Sequence, residues 1–235
     1  MHGFAAIALA MPSAATAEPG MNLSWGDCYG DRPSSNRSFA CNTNVGAQQV
    51  VVSFVAPAGV TEMSGMEIRL DLFTADVVPD WWRLFTSGSC RQRAMTMNFF
   101  PSNLESNCRD LWEGQGSGGI GAYTVGYLGN PSRARIVAAA ARAYVGPLDA
   151  NVEYFAFNLM ISNMRTIGAD SCAGCSRGAR LVLNSIKLTQ PIGVGDFSLS
   201  SSVLPFSNRL DWQGGVCIPD PIRNTTWGGV KALYH

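Results

Sequence analysis

The sequence predicts an all-β protein, an antiparallel β-sandwich of jelly-roll type that is stabilised by disulfides and ends in a short helical turn. Three observations predict it. The 25 glycines and 12 prolines are spread along the chain, which is typical of many short strands joined by turns. Several runs are rich in β-branched and aromatic residues, and seven cysteines are distributed through the sequence. With 46% hydrophobic and 14% charged residues, the 235-residue chain can bury the core of one large domain.

The stretch 154–191 contains two such runs, residues 154–162 and 179–188, on either side of a polar segment with Cys172 and Cys175. We predict a β-hairpin with a long tip. In the second run, Leu181 and Leu183 point one way while Val182 and Ile186 point the other, so neither face is wholly polar. Both arms are therefore predicted to be inner strands of a two-layer structure.

The N-terminus predicts export. Residues 4–10 (FAAIALA) form a short apolar run, and the small residues Ala15 and Ala17 fit signal cleavage before Glu18. Residues 1–17 are thus predicted to be a secretory signal peptide, residues 18–224 the sandwich and residues 225–235 a tail. The apolar run is too short to span a bilayer, so we expect a protein that is extracellular, periplasmic or at the cell surface.

The remaining strands follow from local patterns. Residues 22–28 are predicted as an edge strand, and residues 49–56 (QVVVSFVA) as a strand that the Pro57–Gly59 turn ends. Residues 66–73 alternate, with Met66 facing inward and Glu67, Arg69 and Asp71 outward. Further short strands are predicted at residues 81–85, 94–100, 123–128, 196–200, 203–206 and 209–212, with a loop or one helical turn at 110–119.

The alanine-rich segment 133–145 (RARIVAAAARAYV) has helical propensity and apolar residues at helical spacing. However, it runs through Gly146 and Pro147 directly into the strand at residue 154. We favour a strand over a helix there. The tail, residues 225–235, would form a short helix with Trp227, Val230, Leu233 and Tyr234 on one side.

Six cysteines are predicted to form disulfides, as an oxidising environment favours. Short loops favour pairing Cys28 with Cys41 and Cys90 with Cys108. Cys172 and Cys175 are expected to form a structural disulfide at the hairpin tip. A redox or metal role for that pair, or a bridge to Cys217, stays open, and Cys217 is otherwise unpaired.

Several short motifs run along the chain: WGDC at 25–28, FACNTN at 39–44, PDWW at 79–82, CAGC at 172–175 and TWGGVKALY at 226–234. Together they resemble a group of uncharacterised secreted bacterial proteins that end in a similar Trp-Gly-x-Val-Lys-x-Leu-Tyr tail. The resemblance implies export and a sandwich, and it brings no activity or site with it.

Histidine is confined to His2 and His235, which leaves no imidazole base for a nucleophilic site. We predict no catalytic residue, no cofactor and no metal site. A glycosidase that uses Glu105, Asp110 or Glu113 is the enzyme class that is least excluded. The oxygen ligands Asp27, Asp31 and Asn36 lack the order of a calcium loop, so these residues are expected to form a solvated loop.

Two functions follow from the sequence. The first is a secreted structural or interaction subunit of a fibre, coat or surface layer, which would bind copies of itself or another surface protein. The apolar termini would supply its contacts, through Phe4, Ile7, Trp227, Val230, Leu233 and Tyr234. The alternative is a carbohydrate-binding module with Trp82 or Trp112 as its stacking platform. Because 17 basic residues balance 17 acidic ones, nucleic acid is not an expected partner.

Overall fold

The computed structural model describes residues 18–30, 33–101 and 108–216, and these residues form twelve β-strands and two 3₁₀ turns, with no α-helix among them. The 3₁₀ turns are Asp80–Trp82 and Tyr127–Gly129. The strands are β1 (Gly20–Trp25), β2 (Asn36–Arg37), β3 (Ala47–Val55), β4 (Met63–Thr74), β5 (Met95–Asn98), β6 (Arg109–Asp110), β7 (Gly116–Val125), β8 (Arg133–Gly146), β9 (Glu153–Ser162), β10 (Ala179–Thr189), β11 (Phe197–Leu199) and β12 (Arg209–Trp212).

Two sheets pack face to face. The smaller has the order β1-β3-β9-β5, with β6 also pairing with β9, and the larger has the order β2-β12-β10-β4-β8-β7, with β11 also pairing with β10. All pairs are antiparallel except β2 with β12 and β6 with β9. Consecutive strands often switch sheets, as from β3 to β4 and from β8 to β9. The predicted disulfide-stabilised β-sandwich is confirmed.

One hydrophobic core fills the space between the sheets. In β4, Met66, Ile68, Leu70 and Leu72 are buried in it at every second position, as the alternation predicts. Five tryptophans lie in this core and on its margins, and each is almost fully buried: Trp25, Trp81, Trp82, Trp112 and Trp212. None of the helical segments in the described residues has the length and apolar character to cross a membrane.

The strands at 154–162 and 179–188 are confirmed as the inner strands β9 and β10, but the predicted hairpin between them is wrong. β9 pairs with β3 and β5 in the smaller sheet, whereas β10 pairs with β4 and β12 in the larger one. Each strand has hydrogen-bonded neighbours on both edges within its own sheet, so neither is free to pair with the other. The segment 163–178 between the two strands lets the chain cross from one sheet to the other.

Of the other local predictions, some are confirmed and some are wrong. The alanine-rich segment is the strand β8, as favoured, and Ala134, Ala138 and Ala140 are buried on its inner face. Residues 81–85 instead continue from a 3₁₀ turn into a loop, and residues 203–206 form a turn rather than a strand. The predicted loop at 110–119 contains the start of β7, which extends back to Gly116. The C-terminal tail, residues 225–235, and the signal segment, residues 1–17, lie outside the described residues.

The six predicted half-cystines are all bridged, but with different partners. The disulfides join Cys28 to Cys108, Cys41 to Cys175 and Cys90 to Cys172. The predicted Cys28–Cys41, Cys90–Cys108 and Cys172–Cys175 pairs are therefore wrong. Loop-closure entropy grows only slowly with loop length, so short spacing is a weak guide once the fold brings distant segments together. Cys217 lies outside the described residues.

Candidate interaction surface

The edges of the two sheets are where another polypeptide could add a strand, because an edge strand carries backbone N–H and C=O groups that no neighbouring strand pairs. The smaller sheet ends at β1 on one side and at the short strands β5 and β6 on the other. The larger sheet ends at β2 and β11 on one side and at β7 on the other. These edges differ sharply in how they are covered.

The β1 edge is closed by loops. The backbone N–H groups of Met21 and Leu23 donate to the carbonyl oxygens of Ser201 at 2.9 Å and Ser207 at 2.7 Å. The N–H of Trp25 donates to the carbonyl oxygen of Ser34 at 2.9 Å. All six residues of β1 are buried. Its outer backbone donors are thus already used, and the edge offers nothing to a partner strand.

Four other edge strands are too short to serve as templates, and one of them, β11, has three residues. β5 has four residues, and β2 and β6 have two each. Charged side chains occur on two of them, Arg37 on β2 and Arg109 and Asp110 on β6. Short and charged edges are common protections against unwanted strand pairing.

The β7 edge is different. Its ten residues, GSGGIGAYTV, include no charged residue and no proline. It pairs with β8 along one side. Among the described residues, no hydrogen bond reaches the backbone of β7 from the other side. This strand therefore has the properties of a binding edge, which are length, neutrality and unused backbone groups.

Glycine makes the β7–β8 pairing possible. A Cβ on Gly118 would lie 2.2 Å from the carbonyl oxygen of Ala139, and one on Gly116 would lie 2.8 Å from the Trp112 ring. At Gly119, by contrast, a Cβ would meet nothing within 4 Å. The pairing shifts by one residue between Ile120 and Ala122, which is a β-bulge. Close packing thus explains why Gly116 and Gly118 are glycines. On the outer face, at Gly119, there is space for a side chain.

Tyr123 fixes β7 to the core. Its hydroxyl donates to the carbonyl oxygen of Trp82, and burial raises the pKa of this phenol well above its usual value. Tyr123 also lines a small apolar cavity with Met95 of β5 and Leu72 of β4. The strand is therefore held in place from its inner face, while its edge stays open.

Apolar side chains lie at both ends of β7. Leu128, in the turn that follows the strand, is 78% exposed. Tyr144 and Val145, on the part of β8 that extends beyond Gly116, are 73% and 49% exposed. Single exposed apolar side chains are common on monomer surfaces, so what matters for these residues is their position beside the open edge. Here they bracket the open edge.

The charges beside β7 are neutralised within the chain. Asp71, which was predicted to face outward, does lie on the outer face of β4, but its side chain is buried beneath Arg133 and Arg135. Arg135 donates to Asp71 at 2.7 Å, and this hydrogen bond raises the pKa of the guanidinium. Arg135 also stacks over the ring of Tyr127 at 4.1 Å. The cluster stabilises the sheet.

The predicted glycan platforms are not available. Trp82 and Trp112 are each only 1% exposed. Trp82 packs against Trp81 and Trp212, whereas Trp112 packs edge-on against Phe99 and donates to the carbonyl oxygen of Ala156 at 2.5 Å. Stacking on a sugar needs an exposed ring face, so the prediction at these two residues is wrong. These large apolar rings fill the core instead.

Two surface clefts contain aromatic side chains that already pack against other groups of the chain. One, of about 200 Å³ beside the Cys41–Cys175 bridge, has Phe39 and Trp212 in its wall, but these rings stack on each other with centroids 4.1 Å apart. The other, of about 340 Å³, contains Arg180 paired with Asp211 at 2.6 Å. Arg209 in its wall stacks over Phe206.

The acidic candidates that lie in the described residues have local surroundings. Asp110 accepts a hydrogen bond from the N–H of Trp112, which is a local turn contact, and Glu113 is an exposed turn residue with a positive φ. Asp27 likewise accepts from the N–H of Cys28. Glu105 and Asp31 lie outside the described residues, and Asn36 belongs to β2. Within the described ranges, no three His, Cys, Asp or Glu side chains group as metal ligands.

Arg91 is a buried charge that sequence patterns did not indicate. Its side chain is fully inside the protein, 3.7 Å above the ring of Trp81, and donates to the carbonyl oxygens of Trp81 and Ser162. Burial lowers the pKa of this guanidinium to about 9. It joins the 3₁₀ turn to the end of β9, which is a structural role.

No known family model matches the chain, and no curated protein matches it. The similarity of its short motifs to secreted bacterial proteins therefore stays a prediction. Sequence patterns found only the C-terminal part of β7, within the strand predicted at residues 123–128. The part before it was missed because glycine has low strand propensity and four of the ten residues of β7 are glycine.

Proposed function

We propose that the protein is a secreted subunit of an extracellular assembly and that it associates with copies of itself through the open edge of β7. One observation carries this proposal. Of the edges in the described residues, β7 alone is long, uncharged and without a hydrogen-bonded cover. Strand addition at such an edge is a common mode of association in β proteins.

The energetics favour β7 together with its flanks. A strand added along β7 forms fewer than about ten backbone hydrogen bonds, because the bulge between Ile120 and Ala122 interrupts the pairing, and each bond has a net value of about 1 kcal/mol. Association costs about 4–15 kcal/mol in lost rotational and translational freedom. The backbone bonds alone are thus close to balance. Burial of the exposed Leu128 and Tyr144 side chains would add a favourable free energy and so favour association.

Charge favours a second copy as the partner. The full sequence has 17 basic and 17 acidic residues, so two copies approach without net repulsion. β7 itself carries no charge that self-pairing would place opposite its own kind. An unlike partner with a strongly charged strand would find no complementary charge on this edge.

The location is part of the same proposal. Three disulfides favour an oxidising, extracellular environment. Secretion itself, by way of residues 1–17, is proposed from the apolar run and the small residues at its end. The terminal contact residues Phe4, Ile7, Trp227, Val230, Leu233 and Tyr234 lie outside the described residues, and the β7 edge does not depend on them.

Light scattering on the purified full-length protein tests the proposal. We expect the average mass of the wild type to rise above the single-chain value, 25.1 kDa for the whole sequence, as concentration increases. Lysine substitutions at Ser117 and Thr124, both exposed on β7, should lower the mass towards one chain, because charged edges oppose strand addition.

The matched control places the same two charges one strand away from the edge. Ala139 and Ala141 are exposed on the outer face of β8, where Ala139→Lys with Ala141→Lys leaves the β7 backbone free to pair. This variant should associate like the wild type. A wild-type protein that stays at the mass of one chain at every concentration would overturn the proposal.

A further inference from the structure

We infer that association at β7 is antiparallel, joins β7 of one copy to β7 of a second about a two-fold axis, and stops at two copies. This inference rests on the proposed function, since it specifies the partner strand, its direction and the size of the assembly at the same edge. Three observations support the inference: β7 has one free side, its side chains divide between the inner and outer faces of the sheet, and Leu128 and Tyr144 lie at its two ends.

The number of copies follows from the number of free edges. β8 already pairs along one side of β7, so β7 can accept one further strand. In a β7-to-β7 pair, each copy uses its open edge on the other. The contact is therefore self-complementary and closed, as in cyclic two-fold dimers. In the described residues the other edges are covered or short, so they do not extend the pair into a fibre by the same means.

The direction follows from the two faces of the larger sheet. Its inner face is apolar, with Ile136 and Leu181 buried, and its outer face carries polar groups such as Arg69 and Lys187. An antiparallel pair about an axis perpendicular to the sheet keeps both inner faces on one side. A parallel pair of the same edges would place the inner face of one copy beside the outer face of the other. The antiparallel pair alone makes one continuous two-layer structure.

The register follows from pairing the whole strand. Alignment of all ten residues places Ser117 opposite Thr124 of the second copy and Gly119 opposite Ala122. These four residues all lie on the outer face, since their partners on β8 do, namely Ala141, Arg135, Ala139 and Val137. Facing side chains are thus small and uncharged, and the pair forms without steric or electrostatic conflict.

The flanking apolar residues fit the same direction. Leu128 follows the C-terminal end of β7, and Tyr144 projects from β8 beyond the N-terminal end. In an antiparallel pair, Leu128 of each copy lies at the end from which Tyr144 of the other projects. The two-fold axis repeats this arrangement at both ends, so each copy covers exposed apolar surface of the other.

Two charge variants of β7 test the direction. In an antiparallel pair, Ser117→Lys with Thr124→Glu sets the introduced lysine of each copy opposite the introduced glutamate of the other. Ser117→Lys with Thr124→Lys instead places like charges opposite each other twice. We expect the Lys/Glu variant to dimerise more tightly than the Lys/Lys variant, with dissociation constants that differ on the order of tenfold or more. Sedimentation equilibrium measures both constants.

A parallel pair predicts a different result, because it sets residue 117 against residue 117 and 124 against 124. The Lys/Glu variant would then be as weak as the Lys/Lys variant, and this outcome would overturn the inference while association of the wild type would still support the proposed function. A wild-type mass that grows beyond two chains would also overturn it. A wild type that never associates would instead contradict the proposed function itself.

A mixing experiment tests whether β7 of one copy pairs with β7 of another. Ser117→Glu with Thr124→Glu should be as weak as the Lys/Lys variant when alone, and an equal mixture of the two should recover a mass of two chains. No recovery on mixing would contradict the β7-to-β7 contact. Circular dichroism and melting temperature for each variant establish that the substitutions leave the fold intact, as exposed positions usually do.

Discussion

The strands β1 and β7 both lack charged residues and proline, but they differ in whether other parts of the chain cover their outer edges. Both end a sheet, and neither GMNLSW nor GSGGIGAYTV contains a charged residue or a proline. Loops cover the outer edge of β1 with hydrogen bonds to the carbonyl oxygens of Ser201, Ser207 and Ser34, whereas in the described residues no such bond reaches the outer edge of β7. An edge is therefore closed by what the chain brings to it from elsewhere, and the composition of the strand does not decide it.

The side of the sandwich that carries β1 and β12, called the closed side here, also holds a cluster of large aromatic side chains. Trp212 of β12 contacts the rings of Trp25, Phe39, Trp81 and Trp82. The Cys41–Cys175 bridge lies beside it, since the indole N–H of Trp212 donates to the carbonyl oxygen of Cys175 at 2.6 Å. The open side has a smaller anchor in Tyr123. The Trp212 cluster and the β7 edge thus lie at opposite ends of the larger sheet, so substitutions can test stability at one end and the proposed association at the other separately.

The largest effect is expected from Trp212→Ala. Removal of this buried ring leaves a cavity among four aromatic partners, and such changes cost about 3–5 kcal/mol in the free energy of unfolding. Urea unfolding followed by circular dichroism measures it. Leu128→Ala, on the exposed open side, is the control and should change stability by less than about 0.5 kcal/mol. Equal losses in the two variants would contradict the contrast between the sides.

A somewhat smaller loss is expected from removing the Cys41–Cys175 bridge. Cys41→Ser with Cys175→Ser should lower the free energy of unfolding by about 2–4 kcal/mol, because the unfolded chain regains freedom. Peptide mapping of the unreduced wild type should recover fragments that join residue 41 to residue 175. A map with Cys172 joined to Cys175 would contradict the pairing described above.

A local opening of the β1 edge is expected from Ser207→Ala. The buried hydroxyl of Ser207 donates to the carbonyl oxygen of Met21 at 3.2 Å, so its loss should cost about 1–2 kcal/mol. Hydrogen exchange should show faster exchange at the amide of Leu23, whose N–H donates to the carbonyl oxygen of the same serine. Ser202→Ala, in the same loop, is the control. Unchanged exchange at Leu23 would show that the loop does not protect this edge.

The smallest effect is expected from acid. Lys187 pairs with Asp196 at 2.8 Å beside β11 on the closed side, and this hydrogen bond, with one from the N–H of Gln190, lowers the pKa of Asp196 below its ordinary 3.8. Stability from this pair is present above the ordinary pKa and is lost as pH falls through the lowered one. Asp196→Asn should remove that part of the pH dependence of unfolding. An unchanged acid limb would contradict the assignment.

Association should not follow the same pH dependence. Tyr123 alone among the β7 residues has a titratable side chain, and burial raises the pKa of that phenol. Between about pH 4 and 8 the dissociation constant of the pair should therefore stay constant within a factor of about two. Light scattering over this range distinguishes the two sides of the sandwich.

The sequence predicted the elements whose physics is local. A long run with apolar residues at alternate positions, such as β4, predicts a strand without knowledge of its partners. For the alanines of β8, the direct continuation of the chain through Gly146 and Pro147 favoured a strand. The partners of β9 and β10 could not be predicted in the same way. Apolar residues on both faces show that a strand is internal, but they do not show in which sheet it lies.

The candidate surface was harder still to predict. Glycines 116, 118, 119 and 121 resemble a loop, and the need for glycine at 116 and 118 becomes visible only when the Trp112 ring and the β8 backbone are in place. The burial of Trp82 and Trp112 depends equally on distant partners. The exposure of an aromatic ring and the freedom of an edge are properties of the folded chain as a whole, so local patterns carry little information about them.

The three disulfides also limit what a single cut of the chain can separate. Their spans overlap, as 28 to 108, 41 to 175 and 90 to 172, so every peptide bond between Cys28 and Cys175 lies inside at least one of them. A single cut anywhere in this stretch leaves both fragments covalently joined, with the sheets still assembled. The chain can therefore lose its continuity in this stretch without separating into two molecules.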